Sequence, residues 1–340
     1  MGKSKKAKGK TLHQQAYEKM VAMQAFGESK MEARKNGTEK GKIFSYSTYN
    51  TYWKHIKYFI KWINKNYPEC KALKKAKKHI NEWLAVRVEE GRSAWTIHLE
   101  LAALCKLYGI AFDDPNRFAA PKRYRADIKR SRLEVEHDKR ISVEKYGELI
   151  NFVRATGTRR NVLERLRGED LWTSEQMREL VSDLENKEVQ NELEKKYYIA
   201  AKEALDVFPE HRFFVMHRKD KGGKYRLPPI ITDHAKQVVE RMNNTEPNAL
   251  VWLEVHPKVD IHSYRAEYAT TMYNLYARNI DDIPYDQVKA GSGAKYQSDV
   301  YVCRKDAKGK RLDKSAMYKC SKALGHNRLD VVANYYIRGI

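Results

Sequence analysis

The sequence predicts a mainly α-helical chain with small β-hairpins, divided into a compact helical domain and a larger second domain. Three observations carry that expectation. At 340 residues the chain is too long for one ordinary core. Apolar residues recur at helical spacing over most of its length. Strand signals are confined to short runs beside glycines, at 213–227 and 300–312.

Each segment has its own signature. Residues 1–43 open on a lysine-rich stretch and then turn helical, which reads as a basic N-terminal segment: a solvated tail or an arm along DNA phosphates. Residues 44–112 read as a helical domain. Ser45 to Thr48 offers an N-cap, and Trp53, Ile56, Ile60 and Ile63 form one apolar stripe. Lys54, Lys57, Lys61 and Lys65 fall on an adjacent stripe, so one face would pack while its neighbour meets phosphate. A second cluster follows at Lys74, Lys75, Lys77 and Lys78. A further helix is expected from Ser93 to Gly109. Asp113-Asp114-Pro115, Pro121 and mixed charge make 113–140 a linker. Residues 141–340 form the second domain. A capped helix opens it at Ser142, one hairpin is expected from Phe213–Met216 and Tyr225–Leu227 around Gly222-Gly223, and another lies around Gly309.

Composition narrows the function. Hydrophobic content of 42%, with 22 Tyr and 6 Trp, argues against general disorder. A formal net charge of +22 points to a polyanionic partner, nucleic acid first, with a ribosomal or simply basic soluble protein as the plainer alternative. Cys70, Cys105, Cys303 and Cys320 show no paired or metal-ligand spacing and read as reduced thiols. No apolar run approaches a membrane span, and the N-terminus lacks the apolar core of a secretory signal. No GxxxxGK[ST] loop is present, so ATP chemistry is not indicated.

Four motifs bear chemistry. Thr156-Gly-Thr-Arg159 opens a run that reaches Asp170. Lys219-Asp-Lys221-Gly-Gly-Lys224 places lysines at a glycine turn. His262 and Arg265 stand three apart, on one helical face, where both would touch one phosphate. Leu324-Gly-His326 is followed nine residues on by Tyr335, with Tyr336 as the rival tyrosine. Nine residues on a straight helix lie about 180° apart, so the chain must break between them, near Asn327, if both address one group.

In this order the motifs resemble the tyrosine recombinases, the phage-integrase family of site-specific recombinases. The resemblance covers about 44–340, with the motifs concentrated in 156–340. It implies a helical core-binding (SAM-like) domain at 44–112 followed by a tyrosine recombinase catalytic domain at 141–340. It also implies roles. Arg159 and Arg265 would clamp the non-bridging oxygens of a scissile phosphate, with His326 adding a hydrogen bond. Tyr335 would attack, giving a 3′-phosphotyrosine and a free 5′-hydroxyl. A tyrosine of ordinary pKa near 10 needs a proton acceptor, and His262 is placed for it. Lys221 would protonate the leaving oxygen, with Lys219 and Lys224 as rivals for that role and as DNA contacts beside the α-helical lysines. Bond energy is kept in the phosphotyrosine, so no cofactor or metal is expected.

The partners implied are double-stranded DNA, three further copies of the chain in a homotetramer on synapsed sites, and accessory DNA-bending proteins. The setting implied is prokaryotic and cytoplasmic, and the task is integration or excision of a mobile element. The chain departs from the family pattern where an acid usually follows the first arginine, here Val162, and where a histidine usually follows the second, here Ala266. Asp170 is expected to supply the missing acid. Two segments, about 174–204 and 281–319, read as insertions, and only five residues follow Tyr335. Two other functions share these features: a type IB topoisomerase-like enzyme, and a DNA-binding accessory protein that has lost catalysis.

Overall fold

The computed structural model describes residues 9–124, 141–187, 191–220, 222–283, 299–303, 307–326 and 328–337. The chain is mainly helical with small antiparallel two-stranded sheets, and it divides into two compact units, Met1–Ile128 and Lys129–Ile340.

The first unit contains α1 (Leu12–Ala22), α2 (Lys30–Lys35), α3 (Tyr46–Asn66), α4 (Leu73–Ala76), α5 (Ile80–Glu89) and α6 (Ala94–Tyr108). The helix starts follow local chemistry. Ser45 accepts from Thr48 N–H and Ser93 from Thr96 N–H, each satisfying an orphan donor. Gly109 ends α6 at φ 66°, a conformation glycine adopts without a Cβ penalty. Ile56, Phe59, Ile60 and Ile63 of α3 are buried with Leu101 and Leu104 of α6, while Lys54, Lys57, Lys61 and Lys65 are exposed.

The reading of 1–43 as an arm is corrected from Leu12 onward. Leu12, Ala16 and Met20 repeat every four residues on one face of α1, and that face is buried in the same core. The lysine-rich residues 1–8 and the linker residues 125–140 lie outside the described residues. Phe118 and Ala120, from the region assigned to the linker, pack against the first core.

The second unit contains α7 (Val143–Thr156), α8 (Arg160–Leu163), β1 (Leu171–Thr173), α9 (Ser174–Glu185), α10 (Glu192–Val207), β2 (Phe213–Val215), β3 (His217–Asp220), β4 (Lys224–Arg226), α11 (Ala235–Asn243), α12 (Ile261–Tyr276), β5 (Val300–Val302), β6 (Arg311–Asp313), α13 (Lys314–Ala323) and α14 (Leu329–Tyr335). Ser142 caps α7 through Lys145 N–H, as the sequence suggests. The glycine-turn hairpin is β3–β4. Phe213–Val215 is not its first strand, because it pairs with Leu171–Thr173. The residues of β2 are buried beside β1, and Met216 N–H donates to Asp170 O at 2.7 Å, which turns the chain before β3 begins. The hairpin at Gly309 forms as β5–β6. The segment read as an insertion at 174–204 is no appendage: Met177, Ala200, Ala201 and Ala204 are core residues. Of the second, 284–298 and 304–306 lie outside the described residues, and Ala316 and Met317 are buried.

Two apolar clusters fill this unit, one around α7, α8 and α11, the other around α9, α10, α13 and α14. Helix α12 belongs to both, with Ile261 and Tyr264 in one and Tyr268, Ala269 and Met272 in the other. Residues near the start of α12 therefore sit where the clusters meet. All four cysteines are unpaired and buried. Among the described residues no helix is long and apolar enough to cross a membrane.

The first unit hides one charged group that sets a stability test. Glu100 is fully buried and accepts from Arg87 Nε at 3.0 Å and Nη2 at 2.9 Å, with His55 Nδ1 at 3.2 Å. Burial pushes its carboxyl up, but the bonds from His55 and Arg87 outweigh that and hold it low. Truncation to Glu100→Ala removes the buried partner of Arg87 and leaves it only the half-exposed Glu90. It is expected to cost about 2–3 kcal/mol, measured by denaturant unfolding.

Candidate active site

The motifs at 156–159, 262–265 and 324–326 come together at the junction of the two clusters. Thr156-Gly157-Thr158 terminates α7. Gly157 has φ 59°, and a Cβ there would stand 2.4 Å from a ring carbon of Tyr268, so the position takes only glycine. The turn sends Arg159 into the site and leaves Gly157 O as an acceptor for Arg265 Nη1. The neighbouring Arg160 has a structural task. Its guanidinium donates to Val255 O at 2.9 Å, His256 O at 3.0 Å and Val259 O at 2.7 Å, tying the loop that leads into α12. Asp260 caps that helix, accepting from Ser263 N–H at 3.2 Å.

Arg265 is 1% exposed. Its Nη2 donates to Leu324 O at 2.5 Å, and Arg159 Nη2 donates to the same oxygen at 3.2 Å. Two guanidinium groups thus converge on one backbone carbonyl at the end of α13. A third, Arg226 of β4, donates to the adjacent Ala323 O. Gly325 then adopts φ 67°, and a Cβ there would lie 2.9 Å from Arg226 Cδ. His326 N–H returns to Ser321 O at 2.8 Å, and Ser321 Oγ donates to His326 O at 2.6 Å. Helix α14 starts afresh at Leu329 after an extended Arg328. The expected break between His326 and the tyrosines is therefore present, although Asn327 itself lies outside the described residues.

The tyrosine at the site is Tyr336. Its ring centroid lies 5.3 Å from that of His262 and 5.1 Å from that of His326, and the Arg265 guanidinium lies 5.6 Å from it. The sequence spacing favours Tyr335, with Tyr336 as its rival. In the structure Tyr335 closes α14 and packs, half-buried, against the apolar cluster. Tyr336 makes ring contacts to His262 and His326 and lies against the Arg265 guanidinium.

One carboxylate among the described residues pairs with two of the three arginines. Asp220, 2% exposed, pairs with Arg159 Nη1 and with Arg226 through Nε at 2.9 Å and Nη2 at 2.8 Å. The acid expected from Asp170 is therefore supplied by Asp220. Asp170 is engaged elsewhere, accepting from Arg167 N–H at 2.9 Å and pairing with Arg218 Nε at 2.6 Å. Val162 and Ala266, the two departures in the motifs, are both buried in apolar clusters, which accounts for their side chains. Asp220 lies within the lysine motif but is passed over there, because a carboxylate between lysines in a hairpin reads as solvent-exposed.

A strand irregularity places it. Along β3, alternation would put His217 and Asp220 on opposite faces. The ladder instead slips between them, with Lys219 at φ 47°, and both side chains turn inward. Lys219 and Lys224 are exposed on the same hairpin. Lys221 lies outside the described residues, between Asp220 and the Gly222-Gly223 turn. Among the described residues no cluster of His, Cys, Asp and Glu suits a metal ion.

Three guanidinium groups against one carboxylate leave the pocket strongly cationic. Burial lowers Arg265, and Arg226 and Arg159 lower it further, to about 9. It remains charged at neutral pH. Burial, then Arg226, pushes His217 well below its ordinary 6.5. Thr156 Oγ1 donates to Phe152 O at 2.8 Å, so Thr158 Oγ1 donates to Thr156 at 2.6 Å and accepts from His217 Nε2 at 3.2 Å. Neutral His217, protonated on Nε2, thereby braces the turn that carries Arg159.

Comparison with known proteins adds little. No family model and no curated protein matches the chain. Among solved structures, the crystal structure of XerA recombinase is similar at 14% identity, covering 95% of this chain and 93% of that one, with a TM-score of 0.25.

His217 gives a pH test. Its folded-state pKa is depressed, so its contribution is full above about 6.5 and is lost as pH falls. Below 6.5 the unfolded chain takes up a proton that the folded chain refuses, at about 1.4 kcal/mol per pH unit. Unfolding free energies from pH 7 to 5 should show that slope, and His217→Gln should remove about one proton's worth of it.

Proposed function

We propose that this chain cleaves and rejoins DNA strands through a covalent phosphotyrosine, as a site-specific recombinase, with Tyr336 as nucleophile. One observation carries the reading: Arg159 and Arg265 converge on a single oxygen, Leu324 O, while Tyr336 lies against Arg265 between two histidines. A phosphodiester at that point would find two guanidinium forks, a hydroxyl nucleophile and a proton acceptor within one pocket.

In the proposed reaction the Tyr336 hydroxyl attacks phosphorus and its proton passes to His262. The P–O5′ bond breaks, and the leaving oxygen takes a proton from Lys221 at the hairpin turn. Arg159, Arg265 and His326 stabilise the charge on the non-bridging oxygens. A second strand's 5′-hydroxyl reverses each step, so no external energy source enters. The working unit we propose is a homotetramer on two duplexes, since reciprocal exchange needs four cleavages and each chain offers one nucleophile. The exposed lysines of α3 would hold DNA phosphates. Buried, unpaired thiols fit a reducing compartment, so the proposed setting is the cytoplasm.

Two experiments test this reading. Cleavage sites are first mapped on random-sequence duplexes, and a nick is then placed beside one site so that the released strand diffuses away. Wild-type protein and Tyr335→Phe should accumulate covalent adduct, Tyr336→Phe should form none, and Arg159→Ala should slow cleavage about 10²–10³-fold. Adduct from Tyr336→Phe but not from Tyr335→Phe would return the nucleophile to Tyr335. Separately, replacing Lys54, Lys57, Lys61 and Lys65 by Gln should weaken DNA binding. The dependence of log K on log salt should become shallower by up to about 3.6, at about 0.9 for each phosphate left without its lysine.

A further inference from the structure

We infer, on the reading just given, that Asp220 is a positioning residue that aims Arg159 at the scissile phosphate and ties the lysine-bearing turn to the arginine cluster. The resemblance assigns this function to none of the residues it names. The acid that would stand three residues after Arg159 is Val162, which is spent on the apolar cluster.

Asp220 is suited to the task by geometry. Its carboxylate is the one anionic group pairing with Arg159 among the described residues, and it binds Arg226 through two nitrogens. Arg226 in turn holds Ala323 O and lies under Gly325. One side chain thus joins β3, β4, the Arg159 turn and the end of α13. Position 221 follows directly in the chain. Gly223 N–H closes the turn on Asp220 O at 2.7 Å. The inward aim of Asp220 needs the slipped ladder and the left-handed Lys219, a conformation few non-glycine residues adopt. That local cost is offset where a buried carboxylate partners the buried Arg226 and the half-buried Arg159.

The test compares single-turnover adduct formation on the nicked duplex and on the same duplex with a methylphosphonate at the scissile position. The methyl group removes the charge that Arg159 would meet. Asp220→Asn is expected to slow cleavage of the phosphodiester about 100-fold while DNA affinity stays within about threefold of wild type. On the methylphosphonate the gap should shrink below about tenfold. A purely structural defect would slow both substrates alike. Equal gaps on the two substrates, or Asp220→Asn within about threefold of wild type on the phosphodiester, would overturn the inference. If Asp220→Asn does not fold, Asp220→Glu keeps the charge and must show the same substrate-dependent gap on a smaller scale. Adduct from wild-type protein with no effect at Asp220 defeats only this inference. Wild-type protein that cuts no duplex defeats the recombinase reading and this inference with it.

Discussion

Three neighbouring guanidinium groups, two of them buried and the third, Arg159, half-buried, must be held against their mutual repulsion, and the surrounding turns answer to that requirement. Desolvating a charge costs several kcal/mol per ion even after relaxation. One carboxylate, Asp220, offsets part of it. Backbone carbonyls supply the rest: Gly157 O, Ala323 O and Leu324 O each accept from an arginine. Those oxygens are open to the arginines because each lies at a helix end, where the last carbonyls have no partner within the helix. The arginines therefore complete the hydrogen bonding of α7 and α13 while the helix ends solvate the arginines. Glycine is required at both turns for the same reason, since a side chain at 157 or 325 would occupy the space of Tyr268 or Arg226.

This arrangement links the arginines to the tyrosine. The turn that accepts from Arg159, Arg226 and Arg265 is the turn that leads into α14. The position of Tyr336 is thus set by the groups it would work with, and the elements behave as one unit. Substitutions among Arg159, Asp220, Arg226 and Arg265 should not be additive, because each shares an acceptor or a counter-charge with another.

What is legible in the sequence is what local backbone chemistry determines. The Ser45, Ser93 and Ser142 caps, the Gly109 stop and the Gly222-Gly223 and Gly309 turns follow from side chains within a few residues of each other. Arg265 and His262 are legible because three residues on an unbroken helix share a face. Tyr336, the proposed nucleophile, is not, for a definite reason. Adjacent residues on a helix differ by about 100°, and the break after α13 erases the helical phase. A spacing of nine counts residues but cannot say which of two neighbouring tyrosines faces inward once α14 restarts. Asp220 is hidden in a similar way, since a one-residue slip in a strand exchanges its faces. The first core includes α1 because Leu12, Ala16 and Met20 carry a sparse apolar face that the flanking lysines mask.

The charge balance bears on why such a pocket would favour reaction over mere binding. Arg159, Arg226 and Arg265 against Asp220 leave an excess of two positive charges. A phosphodiester in its ground state carries one negative charge; the pentavalent species formed on attack carries two on its non-bridging oxygens. On the proposed reading the pocket is thus under-compensated with substrate bound and balanced only as the new bond forms. Interactions that strengthen between ground state and transition state are the ones that accelerate a step. The lowered Arg265 is the same fact seen without a ligand: burial and its two cationic neighbours disfavour its charge, and an arriving anion would relieve them. Losing Asp220 would therefore not simply make the site more attractive to phosphate. The excess would rise to three, but the arginines would lose the anchor that keeps them pointed at one place, and charge that is not aimed at the developing oxygens does not select the transition state.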